Sequence, residues 1–306
     1  MADMLNPPAA LPAPTPNQAY VHVSALEAGL ITLPLHLITP GEPADAVRTC
    51  PSLAFFVQHA HAPDRHFVFD LGLRRDFASY PPPIQALVRD TMPCAVPQTV
   101  DESVQTVVIS HLHFDHIGDH TPFTNATFIL GGDGAPLLAD GYPANPTSRT
   151  LAASVPPSRT RFLAPSDFSC AVGPFPAAHD LFGDGSAYIL DTPGHLAGHV
   201  TALLRTSPDG AWLFLGGDVA HDTRLVNGGC AVATVNARGE AYCMHRDVEK
   251  AREDIARVRA LAELPRVEWI IAHDWKWFED HVGGDAFLPG RIKPSPRRWR
   301  AELPWK

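Results

Sequence analysis

Short apolar, β-branched runs recur along the chain from Tyr20 onward. Segments 20–23, 26–37, 53–57 and 66–71 come first. The last two flank the polar turn His61-Ala62-Pro63-Asp64, the pattern of a β-hairpin with a longer loop. Segments 106–109, 126–130, 187–190, 212–215 and 267–272 read as further strands, since such runs are too short for helices. Helical spacing occurs around 84–89. It returns after Asp247, which has the character of an N-cap, with Val248, Ala251, Ile255, Val258 and Leu261 on one face and Leu264-Pro265 as the stop. Between these elements lie a Pro-rich stretch in 81–106, a long passage at 135–178 expected to be irregular, and an uneven loop at 222–246.

Composition narrows the class. The chain has 306 residues, 45% of them hydrophobic, enough for a sizeable core in one large domain or two small ones. Residues 1–18 are Pro/Ala-rich and read as an extended arm, laid on the surface or on a partner subunit, so a homodimer is an open option. Residues 19–306 are taken as a single catalytic domain. The formal net charge of -9 argues against a phosphate backbone as partner, and the basic cluster Arg291, Lys293, Arg297, Arg298 and Arg300 reads as a solvated tail. Five scattered cysteines without CxxC spacing suggest reduced thiols in a cytoplasmic protein. Neither a signal peptide nor an apolar stretch of about 18 residues is apparent, so no membrane partner is expected.

The chemistry concentrates in Ser110-His111-Leu112-His113-Phe114-Asp115-His116, directly after Val107-Val108-Ile109. Imidazole nitrogens and carboxylate oxygens are favoured zinc ligands. Histidines at i and i+2 on a strand end project to one side, so His111 and His113 can grip one metal. Asp115 and His116 lie where the chain must turn and could hold a second. By contrast, Gly131-Gly132-Asp133-Gly134 lacks the order of a nucleotide-binding loop. His59, His61 and His66 have no tight ligand spacing and read as ordinary surface or strand histidines.

The pattern His-x-His-x-Asp-His resembles the signature of the metallo-β-lactamase-fold hydrolases. A second match is Thr192-Pro193-Gly194-His195-Leu196-Ala197-Gly198-His199. The resemblance implies an α/β fold, a four-layer αββα sandwich, with one or two metals at the sheet edge. It implies a ligand set of His111, His113 and His199 for one metal and Asp115, His116 and His273 for the other. Asp218, after Gly216-Gly217, would bridge them. His195 is assigned to holding the loop by hydrogen bonding, a direct role being left open. Gly198 would let the backbone approach the site closely. Asp70, at a strand end before Gly72, would support the metals from behind.

Two divalent ions, zinc being expected, with manganese, iron or cobalt able to use the same ligands, would make a water into a hydroxide nucleophile. Asp115 would also relay the proton to the leaving group. The motifs look most like the branch of N-acyl homoserine lactonases and related lactone or lactam hydrolases. That branch carries a tyrosine three residues after the bridging aspartate, where this chain has His221, which could bind the substrate carbonyl or protonate a leaving group. The expected reaction is opening of a cyclic ester or amide in a small-molecule substrate. Alternatives are hydrolysis of an acyl thioester as in glyoxalase II-like proteins, an iron-dependent sulfur dioxygenase, and a non-catalytic metal-binding module. The long span between His116 and His199 is expected to build a lid or pocket wall from residues 135–178. Trp275, Trp277 and Phe278 are candidates for an apolar pocket wall or for core.

Overall fold

The computed structural model describes residues 10–96 and 104–296. The first nine residues of the arm, and Arg297, Arg298 and Arg300 of the basic cluster, lie outside the described residues. In chain order the strands are β1 (Val21–Leu26), β2 (Leu30–Pro34), β3 (Val47–Pro51), β4 (Ala54–His59), β5 (His66–Phe69), β6 (Cys94–Ala95), β7 (Thr106–Val108), β8 (Thr127–Gly131), β9 (Thr160–Leu163), β10 (Cys170–Val172), β11 (Phe175–Asp180), β12 (Ala187–Asp191), β13 (Val200–Arg205), β14 (Trp212–Leu215) and β15 (Val267–Ile270). The α-helices are α1 (Pro82–Asp90), α2 (Ala135–Ala139), α3 (Thr223–Asn227), α4 (Val248–Ala262) and α5 (Trp275–His281).

Two six-stranded sheets face each other, in the orders β1-β4-β5-β7-β8-β9 and β10-β11-β12-β13-β14-β15, beside a small sheet β3-β2-β6. The period-two alternation of strand side chains sorts each apolar run between two layers. Phe67 and Phe69 join Ala187, Ile189, Ala202, Leu204, Leu213 and Leu215 in the core between the sheets. Val68, Phe128 and Leu130 face the other way, under the loop residues Leu112, Ile117 and Phe123 and beside α2. Across the molecule, Leu203, Trp212 and Phe214 pack outward against Ile255, Val258 and Leu261 of α4. This is the four-layer sandwich, with a thinner outer layer on the first sheet than on the second. Fully burying one such side chain contributes about 1.5–3 kcal/mol, which explains why the alternation specifies register so strongly.

α4 begins as expected, its Asp247 side chain accepting the backbone N–H of Lys250 at 3.0 Å. The passage 135–178 differs from expectation. It contains α2 and the edge strands β9 and β10, and leads into β11, so much of it completes the two sheets and does not form a lid. Thr160-Arg161-Phe162-Leu163 is too short to give a clear alternating pattern of its own and gains its strand conformation by pairing with β8. The 222–246 loop likewise contains α3, capped by Asp222 and closed by Gly228 in the left-handed region (φ 79). The described part of the N-terminal arm lies on its own chain: Arg205, buried under Trp212, donates to Pro12 O at 2.9 Å.

Candidate metal centre

Strand direction gathers the chemistry at one edge. β5, β7 and β8 are parallel, and so are β14 and β15. β12 also runs with β14, because β13 is antiparallel to both. The C-terminal ends of these strands deliver Asp70, the 110–116 loop, the 192–199 turn, Asp218 and His273 to a common point.

The strand before the histidine motif ends at Val108, so His111 and His113 sit in a loop and not on a pleat. They nevertheless converge, with His111 Nε2 at 2.9 Å from His113 Nδ1. The third member of this group is His195. Its Nε2 lies 2.9 Å from His113 Nδ1 and 3.2 Å from His111 Nε2. Asp218 Oδ2 closes the set, 3.5 Å from His195 Nε2 and 3.7 Å from His111 Nε2.

The structure therefore corrects the expectation for His199. Its Nδ1 donates to Thr192 O at 2.9 Å, and its Nε2 accepts the backbone N–H of Asp218 at 3.1 Å. Both ring nitrogens are engaged by protein, so His199 orients Asp218 and His195 takes the position facing His111 and His113. Gly198 also differs. At φ +75 it packs against backbone, where a Cβ would lie 2.3 Å from Gly134 N, so its close approach is to the 131–134 turn and not to the site. Gly217 (φ +47), next to Asp218, makes a close approach behind the site, where a Cβ would lie 3.0 Å from His199 Nε2 and from Ser110 Cβ.

A second group brings together Asp115, His116 and His273, the three that the family resemblance assigns to the second metal. His116 Nε2 and His273 Nε2 lie 3.2 and 3.3 Å from Asp218 Oδ1. Asp115 Oδ2 is 3.7 Å from His116 Nε2 and 3.5 Å from His273 Nε2. Each inner nitrogen is set by a partner behind it. His116 Nδ1 donates to Asp70 Oδ2 at 2.7 Å, and His273 Nδ1 donates to Pro51 O at 2.8 Å. Asp70 also accepts the Ser110 backbone N–H at 2.6 Å and its hydroxyl at 2.7 Å, tying the motif to β5.

His221 stands beside Asp218, its Nε2 3.2 Å from Oδ2, with its ring near those of His195 and His273. It is almost fully buried. His245 completes a further group with His195 and His221 and was not foreseen, since a lone histidine in an irregular stretch carries no spacing signal. The aromatic residues after His273 belong to α5. Trp277 and Phe278 pack near Phe287, and Arg48 covers Trp275 at 4.4 Å. Trp277 does line a cavity of about 770 Å³, but none of the clustered donors lines it.

The electrostatics fit cations. Burial, aided by neighbouring imidazoles, holds His111 and His195 well below the ordinary histidine value and takes His113 down to about 3. All three are neutral at neutral pH, the form that ligates metal. Burial opposes the charge of His116, yet Asp218, Asp70 and Asp115 outweigh it and raise His116 well above its ordinary value. Burial would raise Asp218 too, but His116, His273 and His221 hold it well below the usual carboxylate range. His116 Nε2 and Asp218 Oδ1 face each other as a buried ion pair at 3.2 Å, without the geometry of a hydrogen bond. A buried charge cluster of this kind is costly unless its charges are compensated, and cations held between the nitrogens and the carboxylates would do so. Two divalent cations fit this donor set.

Comparison with known proteins agrees with the geometry. Residues 47–205 match the Metallo-beta-lactamase superfamily. The chain belongs to that family. It is 34% identical over 231 residues to the cytochrome P450 monooxygenase mpaDE' of Penicillium brevicompactum, a match covering 67% of this chain but 26% of that protein, so the chain spans about a quarter of that relative. It is 35% identical over 171 residues to the gamma-lactamase MBL2 of Gibberella moniliformis, covering 50% of this chain and 70% of that one. A solved N-acyl homoserine lactone hydrolase with N-hexanoyl-L-homoserine bound at its catalytic metal centre superposes with a TM-score of 0.65 at 14% identity, covering 89% of this chain and 99% of the other. At that identity the likeness is one of fold.

Proposed function

We propose that the protein is a dinuclear metal hydrolase that opens a cyclic amide or ester, with zinc as the expected metal. The observation that carries this reading is Asp218, buried with one oxygen facing His111 and His195 and the other facing His116 and His273. His111, His113 and His195 would hold one ion, Asp115, His116 and His273 the other, and Asp218 would serve both. When bound, the pair would supply an activated water and Lewis acidity for the carbonyl.

The chain's own residues do the rest. Asp70 and Pro51 O hold the outer protons of His116 and His273, leaving their inner nitrogens free. Asp115 is the candidate to receive a proton and pass it to the leaving nitrogen or oxygen. His221, pressed against Asp218, steadies that carboxylate and has little surface left for substrate. The gamma-lactamase relative favours an amide ring and the acidic net charge disfavours nucleic acid. The described cysteines are all free, which supports a cytoplasmic setting, and no described helix is long and apolar enough to cross a membrane. Residues 19–306 are read as one catalytic domain, because Asp218 and His273 complete the site begun in the 110–116 loop.

The test is proton release from matched lactams, lactones and thioesters by zinc-loaded protein beside Asp115→Asn. Turnover of lactam or lactone, lost in the variant, is expected. Turnover of thioester alone would replace ring opening by thioester hydrolysis.

A further inference from the structure

His195 has two ring nitrogens in two different surroundings. Nε2 faces His111 and His113. Nδ1 lies 3.3 Å from Nδ1 of His245, with the two rings nearly perpendicular. A nitrogen can present a lone pair to a cation only when it carries no proton. If His195 uses Nε2 toward the first donor group, its proton sits on Nδ1, and that N–H needs an acceptor. His245 Nδ1 is placed to accept, which leaves the proton of His245 on its own Nε2.

The surroundings keep this pair in register. Arg246 N–H donates to His195 O at 2.9 Å, and Asp247 N–H donates to Gly194 O at 3.1 Å. Gly194 N–H donates to Asp254 Oδ2 at 3.0 Å. A Cβ on Gly194 would lie 2.3 Å from Ala251 N, so the turn is seated directly on the start of α4. His221 packs against both rings, 4.8 Å from His195 and 4.9 Å from His245 between centroids.

We propose that His245 is a positioning residue for the first metal, accepting the Nδ1 proton of His195 and thereby fixing its tautomer and ring plane. The proposal rests on the reading of His195 as a ligand. Partners of this kind are worth about 10–100-fold in metal affinity. A carboxylate or carbonyl commonly fills the role, and here a histidine does.

The test uses His245→Phe, which keeps ring volume but deletes the acceptor, and His245→Asn, whose side-chain oxygen falls near the place of Nδ1. Zinc affinity is read by chelator competition and ligand geometry by visible absorption of the cobalt-loaded protein. In His245→Phe one of two ions is expected to bind about 10–100-fold more weakly with an altered cobalt spectrum. His245→Asn is expected to recover most of the loss. Wild-type affinity and spectrum in His245→Phe would overturn the proposal, as would equal weakening in both variants. A third ion bound by wild type and lost in His245→Phe would also overturn it, making His245 a ligand. Nitrogen-15 NMR of the zinc-loaded wild type needs no variant: His195 protonated on Nδ1 and His245 on Nε2 is expected, and the reverse sinks the idea. These readouts do not depend on substrate, so silence in the ring-opening assay would leave them standing.

Discussion

His199 Nε2 accepts the backbone N–H of Asp218 at 3.1 Å, across two strands of the second sheet. That bond makes a histidine of the 192–199 turn a support for Asp218, while its neighbour His195 faces His111 and His113.

His195→Ala and His199→Ala should therefore differ. The first deletes a donor and is expected to leave about one tightly bound ion. The second leaves all donors in place and should retain two ions, each held about 10–100-fold more weakly. Metal content by elemental analysis after dialysis separates them, and loss of a whole ion only in His199→Ala would reverse the assignment.

Asp70→Asn removes the charge behind His116 and Ser110 while keeping nearly the same shape. Second-group affinity should fall about 10–100-fold. Stability should drop by about 1–3 kcal/mol, because the amide cannot accept all three bonds. Chelator competition and urea unfolding give the two numbers, and unchanged affinity would return Asp70 to a plain turn residue.

Asp254 couples the His195 turn to α4. Burial, the main cause, pushes its carboxyl up to about 6, against the Gly194 N–H, Arg257 and Lys250. A folded-state value above the ordinary 3.8 means stability that is fully present below about pH 4 and lost as pH rises through 6. Asp254→Asn stays neutral, so its stability relative to wild type should grow from pH 4 to pH 7, by on the order of 3 kcal/mol. Urea midpoints of both proteins at the two pH values measure this, and parallel pH profiles would contradict it.

Burial also pushes the Cys50 and Cys94 thiols up to about 12. The thiolate is the reactive form, so both should resist iodoacetamide at pH 8 in the folded protein and label once unfolded. Peptide mass spectrometry reports each site, and rapid labelling of folded Cys50 would show that its surroundings open readily.

Chelation should lower the melting temperature, since ions that bind only the folded chain stabilise it by mass action. At a free concentration about 1,000 times the dissociation constant that contribution is about 4 kcal/mol. A melting curve unmoved by chelator, with metal loss verified, would count against a seven-donor centre.

The sequence by itself determined the elements whose signal is local. The 110–116 motif could be read because its donors are contiguous. Asp218 and His273 stand at the ends of apolar strands, where side chains emerge at a sheet edge, and the family resemblance supplied the expectation that they ligate. The cap at Asp247 and the apolar face of α4 were equally plain. What only the tertiary structure decided involves residues distant in sequence. His195 and His199 lie in one turn, and the sequence motif pointed to His199; only in the fold do Thr192 O and the Asp218 N–H occupy the ring of His199 and leave His195 facing the donors. His245 and Asp254 acquire their roles by packing against Gly194 and His195, contacts that no spacing within 222–254 can encode. Strands β9 and β10 form because β8 and β11 offer unpaired edges, and backbone hydrogen bonding to a neighbour prevails there over weak local preference.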